Sequence, residues 1–297
     1  MKFNFEYDLK QLLSKEFDYY GITLSPKSDL TSLLFNYFTI RNKLILPIKR
    51  NVKYNPEFLK NLHIHPKEKE IRFLQKNIEE GKDINFFQSK RLFQSNFHDH
   101  LVNEWNIYHL HLSLSKQTKS KFYKQTNQLL FIYINSEQAI FLDTALHSKG
   151  IFADVKWQEI LHDHFPEIIE PYRENEILDI SLNPNAEDRQ MLWNKGYSIG
   201  YTKIRDKIYR NPGIGRVGTG HSIQISRQVN SILRWLNTIN QQFKNHYTPI
   251  CSALGINLLQ ANFSLRFGLY SLEIIEVSTN TLVLNFPNII DIDTTPT

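Results

Sequence analysis

The tightest constraint on this chain is the stretch Trp105–Leu114 (WNIYHLHLSL), where apolar and polar residues alternate with a period of two. In a strand, that period sends Tyr108, Leu110 and Leu112 to one face and Ile107, His109 and His111 to the other. Two more strand-like runs follow, Leu129–Ile134 and Ala139–Leu146, separated by the turn residues Asn135–Gln138. Three antiparallel strands are therefore predicted, and such a sheet must bury a face against helices.

Helical signals stand where that packing needs them. His65-Pro66 opens a helix with Ile71, Leu74 and Ile78 on one side and Gly81 at its end. A second helix is predicted from about Asn85 to Glu104, with Phe86, Phe93, Phe97 and Leu101 as its buried stripe. Lys156–Phe165 forms a third, stopped by Pro166.

Upstream, Leu9, Leu12, Leu13 and Phe17, then Leu33, Leu34, Tyr37 and Phe38, have helical spacing, whereas Lys43–Tyr54 reads as extended around Pro47. Downstream, an acidic connector (IIEPYRENEILDI) marks the expected domain boundary. Beyond it lie Tyr201–Tyr209, a glycine-rich stretch, a long amphipathic helix from about Ser222 to Phe243, three strand-like runs and a frayed Thr/Pro-rich tail. The expected fold class is α+β, with helices packed on an antiparallel sheet and a second, mixed α/β carboxy-terminal domain. The boundaries drawn are 1–83 for a mainly helical support, 84–168 for the α+β core and 169–297 for the carboxy-terminal domain.

Composition narrows the setting. Hydrophobic residues make up 41% of the 297, enough for a real core, and residue usage resembles that of low-GC bacterial genomes. Cys251 is the single cysteine, so an intramolecular disulfide and a cysteine-based zinc site are excluded. Charges interrupt every apolar run near the amino terminus, which argues against a secretory signal and for a cytoplasmic protein without a membrane partner. The net charge is +5, but Arg41–Lys124 holds 17 Lys/Arg against 8 Asp/Glu. That basic block favours phosphate-rich partners.

Seven of the 11 histidines lie between His98 and His164. His109 and His111 project together from one strand, and Asp143 with His147 on the returning strand are expected to approach them. Imidazoles beside a carboxylate suit general acid/base chemistry. The plainer account is polar residues on the wet face of a half-exposed sheet.

The order of residues resembles the RelE/ParE-type bacterial toxins, small ribosome- or gyrase-directed proteins with helices packed on an antiparallel sheet. The matching segments are Tyr108-His109-Leu110-His111, Leu130-Phe131-Ile132-Tyr133 and Ile140–Leu146 with His147-Ser148-Lys149 and Phe152. They cover about 80 residues, roughly 84–165. The family's arginines on the first strand are replaced by His109 and His111, and the Arg after its terminal histidine by Ser148, with Lys149 next. The resemblance implies metal-independent RNA cleavage by attack of a 2′-hydroxyl, without a cofactor, in a toxin or phage-defence effector. His109 or His111 would be the base, His147 the leaving-group acid and Asp143 the orienter. Lys119, Lys121 or Lys124 would clamp phosphate and Tyr123 would stack on a base. Lys90, Arg91, Lys116 and Lys149 extend the expected nucleic-acid surface. RNA or the ribosome is the implied partner, with an antitoxin or regulatory protein as a further one.

Two alternatives share these residues: a non-catalytic nucleic-acid or protein-binding module, and a metal-dependent nuclease built on His109, His111, Asp143 and His147. Separately, Gly213, Gly215 and Gly218 spell the string GxGxxG, but it follows Asn211-Pro212 and not a buried strand. Its backbone amides with Arg210 and Arg216 make a weak phosphate-binding expectation, and a surface loop is the plainer one.

Overall fold

The computed structural model describes residues 2–22, 28–213, 215–218, 220–268 and 271–287. The expected frayed tail lies outside the described residues. In chain order the elements begin with helices α1 (Phe5–Tyr19) and α2 (Leu30–Arg41), strand β1 (Asn51–Tyr54), and helices α3 (Pro56–Asn61), α4 (Glu68–Glu79) and α5 (His100–Trp105). Strands β2 (Ile107–His111), β3 (Gln128–Ile134) and β4 (Gln138–Leu146) follow, then helices α6 (Lys156–His164), α7 (Pro166–Ile169) and α8 (Ala186–Asn194). The hairpin β5 (Tyr201–Ile204) and β6 (Lys207–Arg210), the long helix α9 (Ile223–Ala253), kinked at His246, and strands β7 (Phe263–Phe267), β8 (Ser271–Glu276) and β9 (Thr281–Pro287) complete the order. The class is mixed α+β with mostly antiparallel sheets.

The chain forms two compact units, and they divide it elsewhere than at the acidic connector. One unit joins residues 2–41 to 224–287; the other runs from Asn42 to Ile223. The connector belongs to the second unit, where Glu174 N–H donates to the Ile208 carbonyl at 2.9 Å and ties it to β6. Sequence composition marked the connector as polar; it could not show that its backbone would find a hairpin to bond.

In the second unit the sheet order is β1-β4-β3-β2. The three predicted antiparallel strands are present, and the extended segment before Tyr54 adds a fourth, β1, parallel to β4. Both faces of this sheet are covered. One face carries Tyr108, Leu110 and Leu112 against Ile71, Leu74 and Ile78 of α4. The other carries Ile107, Leu129 and Phe131 against Trp157 and Leu161 of α6 and the β5–β6 hairpin. Phe131 and Trp157 stack at 3.8 Å, and the indole N–H donates to the Ile151 carbonyl at 2.8 Å.

The predicted helix over 85–104 breaks into two short 3₁₀ turns, Asn85–Phe87 and Lys90–Phe93, followed by α5. The cause is local competition by polar side chains for backbone groups. Ser89 Oγ accepts from Arg91 N–H at 3.3 Å, and Asp99 Oδ1 caps α5 by accepting from Val102 N–H at 3.2 Å. Asn85 is buried and exchanges two hydrogen bonds with the Ile45 backbone, at 2.7 and 2.8 Å, so this segment is sewn to the chain before β1.

In the first unit, Asn4 caps α1, and Phe5, Leu9, Leu13 and Phe17 form its buried stripe. Leu265 of β7 donates its N–H to Asp8 at 3.1 Å, and Phe5 meets Phe243 of α9 edge-on at 5.0 Å. The three expected carboxy-terminal strands are present and pair in the order β7-β8-β9.

Candidate functional site: imidazoles at one end of the central sheet

The alternation in β2 sets His109 and His111 on one face, as the sequence required, and α6 packs on that face. In the register His109 lies opposite Phe131 and His111 opposite Leu129. His147 follows the end of β4, and its N–H donates to the Asn127 carbonyl at 2.7 Å. Phe152 joins the two positions: its ring lies 4.7 Å from His109 and 5.2 Å from His147. These two imidazoles therefore share one aromatic neighbour, and both lie close enough to His111 to weaken its hold on a proton.

Asp143 does not join them. It pairs with Phe131, which pairs with His109, so β3 intervenes and the separation is about two strand spacings, roughly 10 Å. A bulge between Phe131 and Ile132 shifts the β3–β4 register there. The Asp143 carboxylate instead acts on His65, whose Nε2 lies 3.0 Å from Thr144 Oγ1. The carboxylate that faces His109 is Asp99, at 3.6 Å between Oδ2 and Nδ1, a distance longer than a hydrogen bond. Asp99 had an identifiable signal, an N-cap residue immediately before an apolar run, hidden by reading the whole segment as helix.

Environment separates the three histidines. His109 is only 12% exposed at its side chain, and burial lowers its basicity against the pull of Asp99. His111 is buried as well; its basicity falls to about 4 through burial, and its Nδ1 accepts from Thr126 N–H at 3.1 Å. His147 is exposed. The three imidazoles thus differ in exposure: His111 is buried and His109 largely covered by the layer on their face, while His147, beyond the strand end, is exposed.

His147 also marks the base of the basic loop. That loop leaves β2 just after His111 and returns at Asn127, carrying exposed Lys116, Lys119, Lys121 and Lys124. Six expected contacts are engaged within the protein, among them Lys116 over Tyr123 at 5.8 Å and Lys121 over Phe86 at 6.0 Å. Tyr123 is stacked on Phe87 at 3.8 Å, Lys149 is paired with Glu187 at 2.6 Å, and Arg210 faces Glu174 at 3.5 Å. Arg91 lies over Phe97 at 5.4 Å, while Lys90 is exposed. Buried Lys43 fixes this edge, donating to the carbonyls of Gln94 at 2.7 Å and Phe97 at 2.9 Å; burial pulls its basicity down to about 8.

Among the described residues, no group of three His, Cys, Asp or Glu side chains converges to hold a metal ion, so His109, His111, Asp143 and His147 do not assemble as a ligand set. The glycine string is not a dinucleotide cradle. It follows a two-stranded antiparallel hairpin, and Gly213 is packed where a Cβ would run into the Asn103 carbonyl. Gly218 is exposed and Gly215 half-buried, while Arg216 Nη2 lies 3.0 Å from His100 Nε2. Ile214 of the string, and Thr219 just after it, lie outside the described residues.

Among the described residues no helix is long and apolar enough to cross a membrane. The chain matches no family model, no curated protein and no solved structure.

Proposed function

We propose that the His147 end of the central sheet is an RNA-directed acid/base site of the endoribonuclease type, working without a metal or cofactor in a toxin or phage-defence setting. The observation that carries this reading is an exposed imidazole at the foot of a four-lysine loop, with the Asp99 and His109 pair behind a shared aromatic ring. With His111 buried and His109 largely covered, the base role expected of them passes to His147, which takes the proton from a 2′-hydroxyl as the O2′–P bond forms; the P–O5′ bond breaks and water, in place of His147, protonates the leaving oxygen, giving a cyclic phosphate. Lys116, Lys119, Lys121 and Lys124 neutralise the phosphate. Asp99 and His109 are positioning residues. Their burial keeps them from substrate, and Phe152 transmits their placement to His147.

The burial of His109 and His111 favours a second reading, a non-catalytic module whose lysine loop docks RNA or an acidic protein surface. Expression of wild type and His147→Ala in bacteria separates the two. Growth arrest with degraded RNA in wild type alone supports the enzyme; identical growth and intact RNA in both supports the docking module.

A further inference from the structure

We propose that Arg216, His98 and His221 form a binding site for a phosphate-type oxyanion, independent of the chemistry at His147. The glycine-rich loop builds it by folding onto α5. Gly213 allows the close approach, with its N–H donating to the Glu104 carbonyl at 3.2 Å, and a bridge between Arg216 and Ser222 closes the loop. The His100 ring then lies flat on Trp193 at 4.8 Å with 5° between the planes, and its Nε2 holds the Arg216 guanidinium at 3.0 Å. His221 meets His98 edge-on at 5.6 Å. A planar fork and two imidazoles are thereby gathered at one loop.

Charge at this place is one-sided. Arg216 opposes protonation of His98, His100 and His221, and Lys43 adds to the effect on His98. The carboxyl that answers Arg216 is Glu104, and burial disfavours its charged form. Asp99, next in sequence to His98, is turned toward His109 and Lys43. Arg189 adds a further positive charge beside Glu104. A guanidinium whose neighbouring carboxyl is disfavoured as an anion suits an oxyanion, which it can grip with two parallel N–H donors. His98 provides an independent sign, since its buried Nδ1 has no hydrogen-bond partner, an arrangement that carries a desolvation penalty. An anion accepting from protonated His98 and His221 removes that penalty and returns a proton to each ring.

Sulfate is the probe, because its charge is constant across the range used. Thermal unfolding is followed in sulfate and in chloride of equal ionic strength, at pH 7.5 and 6.0, for wild type, Arg216→Gln, His221→Asn and His147→Ala. The expected result is a sulfate-specific rise in Tm, larger at pH 6.0, with apparent affinity about tenfold weaker in Arg216→Gln and His221→Asn. His147→Ala keeps the full response, so failure of the catalytic reading leaves this result untouched. Binding of a short single-stranded RNA distinguishes the natural sources of the anion: weakening in both variants identifies a backbone phosphate, and unchanged binding identifies a free phosphate or nucleotide. Sulfate acting no differently from chloride in wild type, or equally in wild type and both loop variants, would overturn the proposal.

Discussion

Two groups of histidines sit in the same unit and are built by opposite means. His109, His111 and His147 owe their positions to a strand period and to the place where a strand ends, both local properties of sequence. His98, His100 and His221 are brought together by a loop that returns more than 100 residues later to the first turn of α5. The comparison teaches that convergence and accessibility are separate matters. The strand period correctly aligned His109 and His111, yet it said nothing of the layer that buries His111 and leaves the His109 side chain 12% exposed, whereas the loop-built group, also half-buried, keeps an arginine at its centre.

The difference can be broken most forcefully beneath the sheet. Phe131 is fully buried between His109 and Trp157, so Phe131→Ala should destabilise the protein by about 3–5 kcal/mol, read from urea unfolding. A loss below about 1 kcal/mol would mean that the strand-built group does not rest on this packing.

Acid challenges both groups together. His111 and His98 are depressed to about 4 and His100 to about 3, each mainly by burial. Their folded-state values lie below the unfolded one, so between about pH 6.5 and 4 the unfolded chain binds more protons and stability falls as pH falls. His100 and His111 should each cost about 1 kcal/mol by pH 5.5, and denaturant midpoints measured from pH 7 to 5 check this. A flat profile would contradict the burial of both groups.

A pH effect of opposite sign separates the loop-built group from the strand-built one. Glu104 is raised to about 8, so rising pH ionises it in the unfolded chain first and erodes stability between about pH 4.5 and 8. Glu104→Gln removes that cost. It should stabilise at pH 8 by up to about 4 kcal/mol, the equivalent of the shift from 4.5 to about 8, and leave pH 4 nearly unchanged, because both states are mostly protonated there. Equal shifts at the two pH values would assign the effect to packing and not to charge.

Much of the fold was legible because its signals are periodic. The alternation of Trp105–Leu114, the turn at Asn135–Gln138 and the stripe Ile71, Leu74, Ile78 each specify one element, and each element is present. Asn85–Glu104 misled because phenylalanines at near-helical spacing outweighed Ser89 and Asp99, whose side chains cap short turns and interrupt the helix. At the site, His109, His111 and His147 were found by period, and Asp143 was misplaced because strand order and the bulge at Phe131 are tertiary facts. Asp99 and Arg216 act through partners supplied by packing, which no single-sequence spacing records.

The central claim is that His147 performs proton transfer on RNA while His109 and Asp99 stay behind it. The direct measurement is cleavage of a single-stranded RNA by purified wild type and His147→Ala, with chelator present and unfolding midpoints compared. The account predicts products ending in a 2′,3′-cyclic phosphate, a loss of about 10²-fold or more in the variant and matching stability. Equal cleavage by both proteins, or none by wild type that nevertheless binds the RNA, would contradict it.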